Sequence, residues 1–207
     1  ENLGDGTFEI MDGGRATSDG SSSYAVAFGD LDNDADLDLV VANWGGTSEI
    51  YINDGAGYFD QTLSAVFERS ITFAGSMAMG DFDSDGDLDI LIGNWPNQPG
   101  DGEENVLIEN RYADGNWLKV ALEGVSSNRS AIGARITVEF TKDGTTRSQI
   151  REVSTHSGWR SQGELTQHFG LGDVTKVSTV RINWPSGHVQ TIVEPAVNQV
   201  LKIREGG

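Results

Sequence analysis

Two nine-residue runs of alternating aspartate constrain this chain more than any other feature. They are Asp30-Leu31-Asp32-Asn33-Asp34-Ala35-Asp36-Leu37-Asp38 and Asp81-Phe82-Asp83-Ser84-Asp85-Gly86-Asp87-Leu88-Asp89. Carboxylates this close repel one another, so a fold that gathers them needs a cation among them. Hard oxygen ligands at this density suit calcium, which takes about six to eight oxygens at flexible geometry. Positions 1, 3 and 5 of each run (Asp30, Asp32, Asp34; Asp81, Asp83, Asp85) are placed to offer side-chain oxygen. Position 7 (Asp36, Asp87) would add a backbone carbonyl and turn its own carboxylate to solvent or to the loop. Position 9 (Asp38, Asp89) would complete the shell. The expectation is two calcium sites, one per run.

An EF-hand is excluded, because it requires a bidentate Glu at position 12. Here that position holds Val41 in one run and Ile92 in the other, inside strand-like sequence. Position 6 needs a sharp turn that favours positive φ; Gly86 supplies it in the second run. Ala35 stands there in the first, so that loop is expected to be strained or differently wound.

The runs lie 51 residues apart and their flanks repeat with them. Tyr24–Asp30 falls on Gly75–Asp81, Leu37–Trp44 on Leu88–Trp95, and Asn2–Phe8 on Asn53–Phe59. After Trp95 the register slips by six residues, and Ile50–Asn53 then matches Leu107–Asn110. A period of this length with several short strands reads as blades of a β-propeller. Each unit parses as a strand (25–29), an Asp loop (30–38), a strand (39–43), a strand (49–53), a Gly-rich turn (54–57) and a last strand (58–62). The segment from Glu1 to Ile10 reads as the tail of a preceding unit and as an orphan strand. Two blades cannot close a ring, and open edges invite strand pairing.

The pattern changes near Asp114. From Trp117 the Asp runs stop and basic residues enter: Lys119, Arg129, Arg135, Lys142, Arg147 and Arg151. Alternation in Leu118/Val120/Leu122, Ile136/Val138/Phe140 and Val180/Ile182/Trp184 accommodates about seven strands, as in a β-sandwich. The fold expected is therefore all-β: partial propeller-type repeats of four-stranded antiparallel blades over 1–113, then a β-sandwich domain over 114–207.

Lys and Arg total 14 against 32 Asp and Glu, a net charge of −18. Nucleic acid and anionic membrane surfaces would be repelled. The chain has no cysteine, hence no disulfide framework and no thiolate metal site. No stretch approaches the ~20 apolar residues of a membrane span. No charged-then-apolar leader follows Glu1, so the expectation is that any signal peptide has been removed or was never part of this sequence.

The segments Gly29-Asp30…Asp38-Leu39-Val40-Val41-Ala42-Asn43 and Gly80-Asp81…Asp89-Ile90-Leu91-Ile92-Gly93-Asn94 resemble FG-GAP/VCBS repeats, the blades of integrin-α-like propellers. The DxDxDGxxD calcium motif of that family is matched in full by Asp81, Asp83, Asp85, Gly86 and Asp89. Asp30, Asp32, Asp34 and Asp38 match it except at Ala35. The second part resembles the ASPIC/UnbV domain through Asn116–Val120, Ser127–Arg135, Arg151–Ser154, His168–Gly172, Val180–Gly187 and Asn198–Leu201. This order is similar to that of cartilage-acidic-protein-like secreted proteins. The resemblance implies an extracellular, calcium-loaded, non-catalytic protein.

The residues themselves offer little to an enzyme. No HExxH, GxSxG or P-loop spacing occurs. His168 sits in an apolar segment and reads as a packed, hydrogen-bonded residue, while His156 and His188 lie in polar loops. The stretch Ser154–Arg160 is the best candidate surface feature of the second domain. Trp44 and Trp95, at equivalent positions, read as packing between blades. The function expected is adhesion or interaction with an extracellular protein or glycan. The rival is a structural subunit that self-assembles into a filament or sheath by strand complementation between protomers.

Overall fold

The computed structural model describes residues 2–10, 12, 14–17, 20, 22–59, 61–62, 73–95, 104–156 and 161–206. Among them are fourteen strands, one 3-10 turn (Gly14–Thr17) and no α-helix. The all-β expectation therefore holds.

In the first repeat, β1 (Ser23–Gly29), β2 (Asp38–Asn43), β3 (Glu49–Ile52) and β4 (Gln61–Thr62) pair antiparallel in chain order. The second repeats this with β5 (Ala74–Gly80), β6 (Asp89–Asn94) and β7 (Val106–Ile108). Gly29 pairs with Asp38 and Gly80 with Asp89, so each Asp run is the tip of the first hairpin of its blade. The two sheets share one core. Ala25, Ala27, Val40, Ala42, Ile50 and Ile52 from one blade meet Met77, Ile90, Ile92 and Ile108 from the other. The alternation that put these residues on one face of each strand is what drives the sheets together.

Equivalent details survive the repeat. Trp44 N–H donates to Ser22 O, and Trp95 N–H to Phe73 O, both at 2.9 Å. The carboxamides of Asn43 and Asn94 close the following connection through Thr47 O and Glu104 O, both at 2.7 Å. Trp44 does pack between blades, its ring 5.6 Å from Tyr24 and 5.5 Å from Phe73. Trp95 is half exposed.

Two expectations are corrected. The second sheet has three strands among the described residues, not four. After Ile108 the chain turns at Asn110, which accepts from Tyr112 N–H and donates to Leu31 O, and it leaves for the next domain. The described N-terminal residues, 2–10, do not form one extended strand. Leu3 N–H donates to Thr7 O at 3.1 Å and Asn2 bridges Phe8, a tight turn like the one that Asp54 N–H and Tyr58 O close. Glycines at positive φ (Gly4 and Gly6; Gly55 and Gly57) fold both turns back on themselves.

The C-terminal region contains β8 (Asn116–Glu123), β9 (Arg135–Lys142), β10 (Thr145–Glu152), β11 (Gln167–Gly172), β12 (Val177–Asn183), β13 (Val189–Val193) and β14 (Val200–Arg204). One sheet runs β10-β9-β12-β13 and the other β11-β8-β14, with β14 parallel to β8. Leu118, Val120, Phe169, Leu171 and Ile203 face Ile136, Val138, Phe140, Val180 and Ile182 to make the sandwich core. Each such side chain, fully buried, contributes about 1.5–3 kcal/mol. At one end, the buried carboxylate of Glu205 accepts from the N–H groups of Val125, Ser126 and Ser127 and from the hydroxyls of Ser127 and Ser186. This ties the 124–127 turn to the C-terminal strand.

Candidate metal centres

Each Asp loop is wound by its own carboxylates. Asp32 Oδ1 accepts from Asp34 N–H, and Asp34 Oδ1 from Asp36 N–H. Asp83 and Asp85 do the same for Asp85 N–H and Asp87 N–H. Short acidic side chains favour this bond to the backbone two residues on. Position 9 closes the loop: Asp38 Oδ2 accepts from Leu31 N–H at 2.7 Å, and Asp89 Oδ2 from Phe82 N–H at 2.8 Å. The other oxygens of Asp38 and Asp89 take the N–H of Asn53 (3.0 Å) and of Asn110 (2.8 Å). The loops turn through left-handed backbone at Asn33 (φ 59°) and Ala35 (φ 89°), and at Ser84 (φ 67°) and Gly86 (φ 103°). Ala35 thus follows the same winding as Gly86 and carries the strain that glycine avoids.

This winding brings Asp30, Asp32 and Asp38 together, and likewise Asp81, Asp83 and Asp89, with one oxygen from each within 4.8 Å of the others. Asp34, Asp36, Asp85 and Asp87 lie outside these triads. Asp87 Oδ1 instead accepts from Asn33 Nδ2 at 2.9 Å, linking the two loops. In both triads the first aspartate keeps a buried oxygen, Asp30 Oδ1 or Asp81 Oδ1, with no hydrogen-bond partner among the described residues. A buried carboxylate oxygen left so is costly unless a cation takes it. The donor set, all oxygen and mostly carboxylate, fits calcium.

The electrostatics agree. Burial, then repulsion from Asp34 and Asp38, pushes Asp30 up to about 8. Burial is also the main cause that lifts Asp38 to about 7, Asp32 to about 6 and Asp87 to about 6. The first loop is the deeper of the two, with Asp30, Asn33 and Asp38 each at most 1% exposed.

What sequence reasoning missed is what lies over the loops. Lys119 Nζ, from β8, is 3.1 Å from Asp81 Oδ2 and 3.1 Å from Glu164 Oε2. His168 Nε2 meets Gly86 O at 2.9 Å, so the histidine is a buried, bonded residue. Lys142 Nζ donates to Asp34 O, and Gly172 N–H to Asn33 O. A Cβ on Gly170 would fall 2.2 Å from Asp30 Oδ2, and one on Gly86 2.0 Å from Trp117 Nε1. The basic residues that enter from Trp117 onward were the available signal. Asn53 and Asn110, aligned by the repeat, were visible as equivalents without a role. Of the Ser154–Arg160 stretch, residues 157–160 lie outside the described residues, Trp159 among them.

Two blades with Asp-loop tips followed by a sandwich are the architecture of FG-GAP-like repeats joined to an ASPIC and UnbV domain, and the two halves of the chain resemble those two families in turn. The FG-GAP-like repeat family matches residues 30–92, and the ASPIC and UnbV family residues 124–207. Among individual proteins, the chain is similar to cartilage acidic protein 1. The Xenopus tropicalis protein is 24% identical across 98% of this chain and 40% of its own length. The mouse and human proteins are each 30% identical across 59% of this chain and 18% of their own length. The chain therefore spans less than half the length of these relatives.

Proposed function

We propose that this chain is a calcium-binding, non-catalytic interaction module that works outside the cell, engaging an extracellular protein or glycan in adhesion. The observation that carries the calcium reading is the unpartnered buried oxygen on Asp30 and on Asp81, each within a three-carboxylate triad. The relatives are named for cartilage, a tissue made largely of extracellular matrix, and extracellular calcium sites typically bind at ~10⁻⁴–10⁻³ M. The ions supply positive charge that holds the loops in one winding; residues Asp30, Asp32 and Asp38, and Asp81, Asp83 and Asp89, would hold them. A cleft of about 390 Å³ between β1 and the C-terminal domain, bordered by Val26, Phe28, Arg151 and His156, is the partner surface favoured here.

A second reading is self-assembly into a filament or sheath. The exposed apolar row Tyr24, Val26 and Phe28 on β1, itself a sheet edge, favours it. The turn formed by residues 2–10 offers it no extended strand. Light scattering with millimolar calcium and then with excess chelator tests both readings. A calcium-stabilised monomer supports the module, and large calcium-dependent polymers support the assembling subunit. For a site of ~0.1 mM affinity, about 1 mM calcium adds ~1.4 kcal/mol of stability. An unchanged melting temperature in calcium and in chelator would overturn calcium binding.

A further inference from the structure

We propose that the two metal loops are the seat on which the C-terminal domain docks, so that filling the loops with calcium and seating the domain are one coupled event. This rests on the calcium reading above.

Both loops present the middle of their turn to the domain. Backbone carbonyls at positions 4 and 5 of the first loop, Asn33 and Asp34, accept from Gly172 N–H and Lys142 Nζ. The carbonyl at position 6 of the second loop, Gly86, meets His168 Nε2. These carbonyls point where they do because the loop turns through left-handed backbone at Asn33, Ala35, Ser84 and Gly86. An ion held by positions 1, 3 and 9 would fix that same winding. Metal and domain therefore select one loop conformation.

The charges fit the same scheme. The ammonium of Lys119 engages Asp81 Oδ2 and leaves Oδ1 buried with no hydrogen-bond partner among the described residues. In the first loop, Ala35 N–H takes Asp30 Oδ2 at 3.1 Å, Gly170 closes over it, and Oδ1 is again left. Lys119 is thus a positioning residue for the second triad, and Gly170 is the close-packed neighbour that does this for the first. Coupling between two binding events is reciprocal: if calcium favours docking, docking favours calcium by the same factor.

Three amides that bond across the interface report docking without touching a ligand oxygen. They are Gly172 N–H to Asn33 O, Met77 N–H to Ser161 Oγ, and Glu164 N–H to Met79 O. The test is residue-resolved hydrogen exchange on the full chain, in millimolar calcium and in chelator. Calcium should slow exchange in both loops and also at Met77, Glu164 and Gly172. Protection confined to residues 30–38 and 81–89 would overturn the coupling and leave calcium binding standing. Protection at neither would overturn the calcium reading and the coupling with it. Ser161→Ala supplies the reciprocal arm, since it weakens docking at Met77, outside both loops. Its calcium half-saturation should rise by up to about fivefold, the value of one modest hydrogen bond; an unchanged midpoint counts against the coupling.

Discussion

Lys119 and Asp81, 38 residues apart in the chain, meet at 3.1 Å with side chains only 6% and 2% exposed. A lysine ammonium therefore sits sealed against a carboxylate of a candidate metal triad. Removing one partner of a buried pair strands the other, at a cost of roughly 3–5 kcal/mol. Lys119→Met keeps the aliphatic stem and deletes the charge. We expect a loss of about 3 kcal/mol in chelator and a smaller one in calcium, where the ion compensates Asp81. Chemical denaturation in the two conditions measures the difference; equal losses would show that metal and lysine do not share the carboxylate.

Asp83 and Asp89 separate ligation from architecture. Asp83 is exposed, and its Oδ1 accepts within the loop from Asp85 N–H. Asp89 is buried and accepts from both Phe82 N–H and Asn110 N–H. Asp83→Ala should weaken calcium at the second loop while leaving the calcium-free melting temperature within a degree or two. Asp89→Ala should abolish the site and cost about 2–4 kcal/mol even in chelator, because two part-buried N–H donors lose their acceptor. Calorimetric calcium titration beside thermal melting checks both, and the first loop should still bind in each variant.

Gly86→Ala tests the contact with Trp117. The added methyl would meet the indole at 2.0 Å, on a backbone at φ 103° that side chains disfavour. The loop or the indole must shift, with an expected loss of about 1–3 kcal/mol. A change in tryptophan fluorescence should accompany the fall in melting temperature. Wild-type stability in this variant would mean that the indole moves aside freely.

Acid should act through Glu205. Burial raises its proton affinity, but hydrogen bonds from the Ser186 hydroxyl, the N–H groups of Ser127 and Val125, and the Ser127 hydroxyl outweigh that and hold it down at about 2. Its folded pKa lies below the ordinary 4.5. The stabilisation is therefore complete above about 4.5 and lost as pH falls towards 2. Glu205→Gln should lower the melting temperature near neutrality, and the gap to wild type should close as the pH drops through that window. A constant gap from pH 6 to pH 2 would refute the assignment.

The blades were legible because their signals are local and doubled. Short apolar runs in Leu39–Asn43 and Ile90–Asn94, matched flanks and paired Asp runs each mark a hairpin without knowledge of the rest. The sandwich strands announced themselves in the same way. That the second sheet has three strands among the described residues was not legible; there the chain turns at Asn110, which bonds to Leu31, 79 residues earlier. The cover over the loops was hidden for a related reason. Lys119, His168 and Gly170 are ordinary residues of separate strands, and only the fold brings them to the same place. The shift from acidic to basic sequence hinted that the two halves attract, without saying through which atoms.

The sixth position of each loop follows one backbone path with two different occupants. Gly86 leaves room for the Trp117 ring, whereas the methyl of Ala35 packs against the sandwich core. The duplicated units have each been fitted to a different neighbour and are no longer interchangeable parts. Exchanging the two loop sequences would place a methyl under the indole and a gap beside the core. An engineer extending this array by copying a unit would have to choose which copy may stand next to the terminal domain.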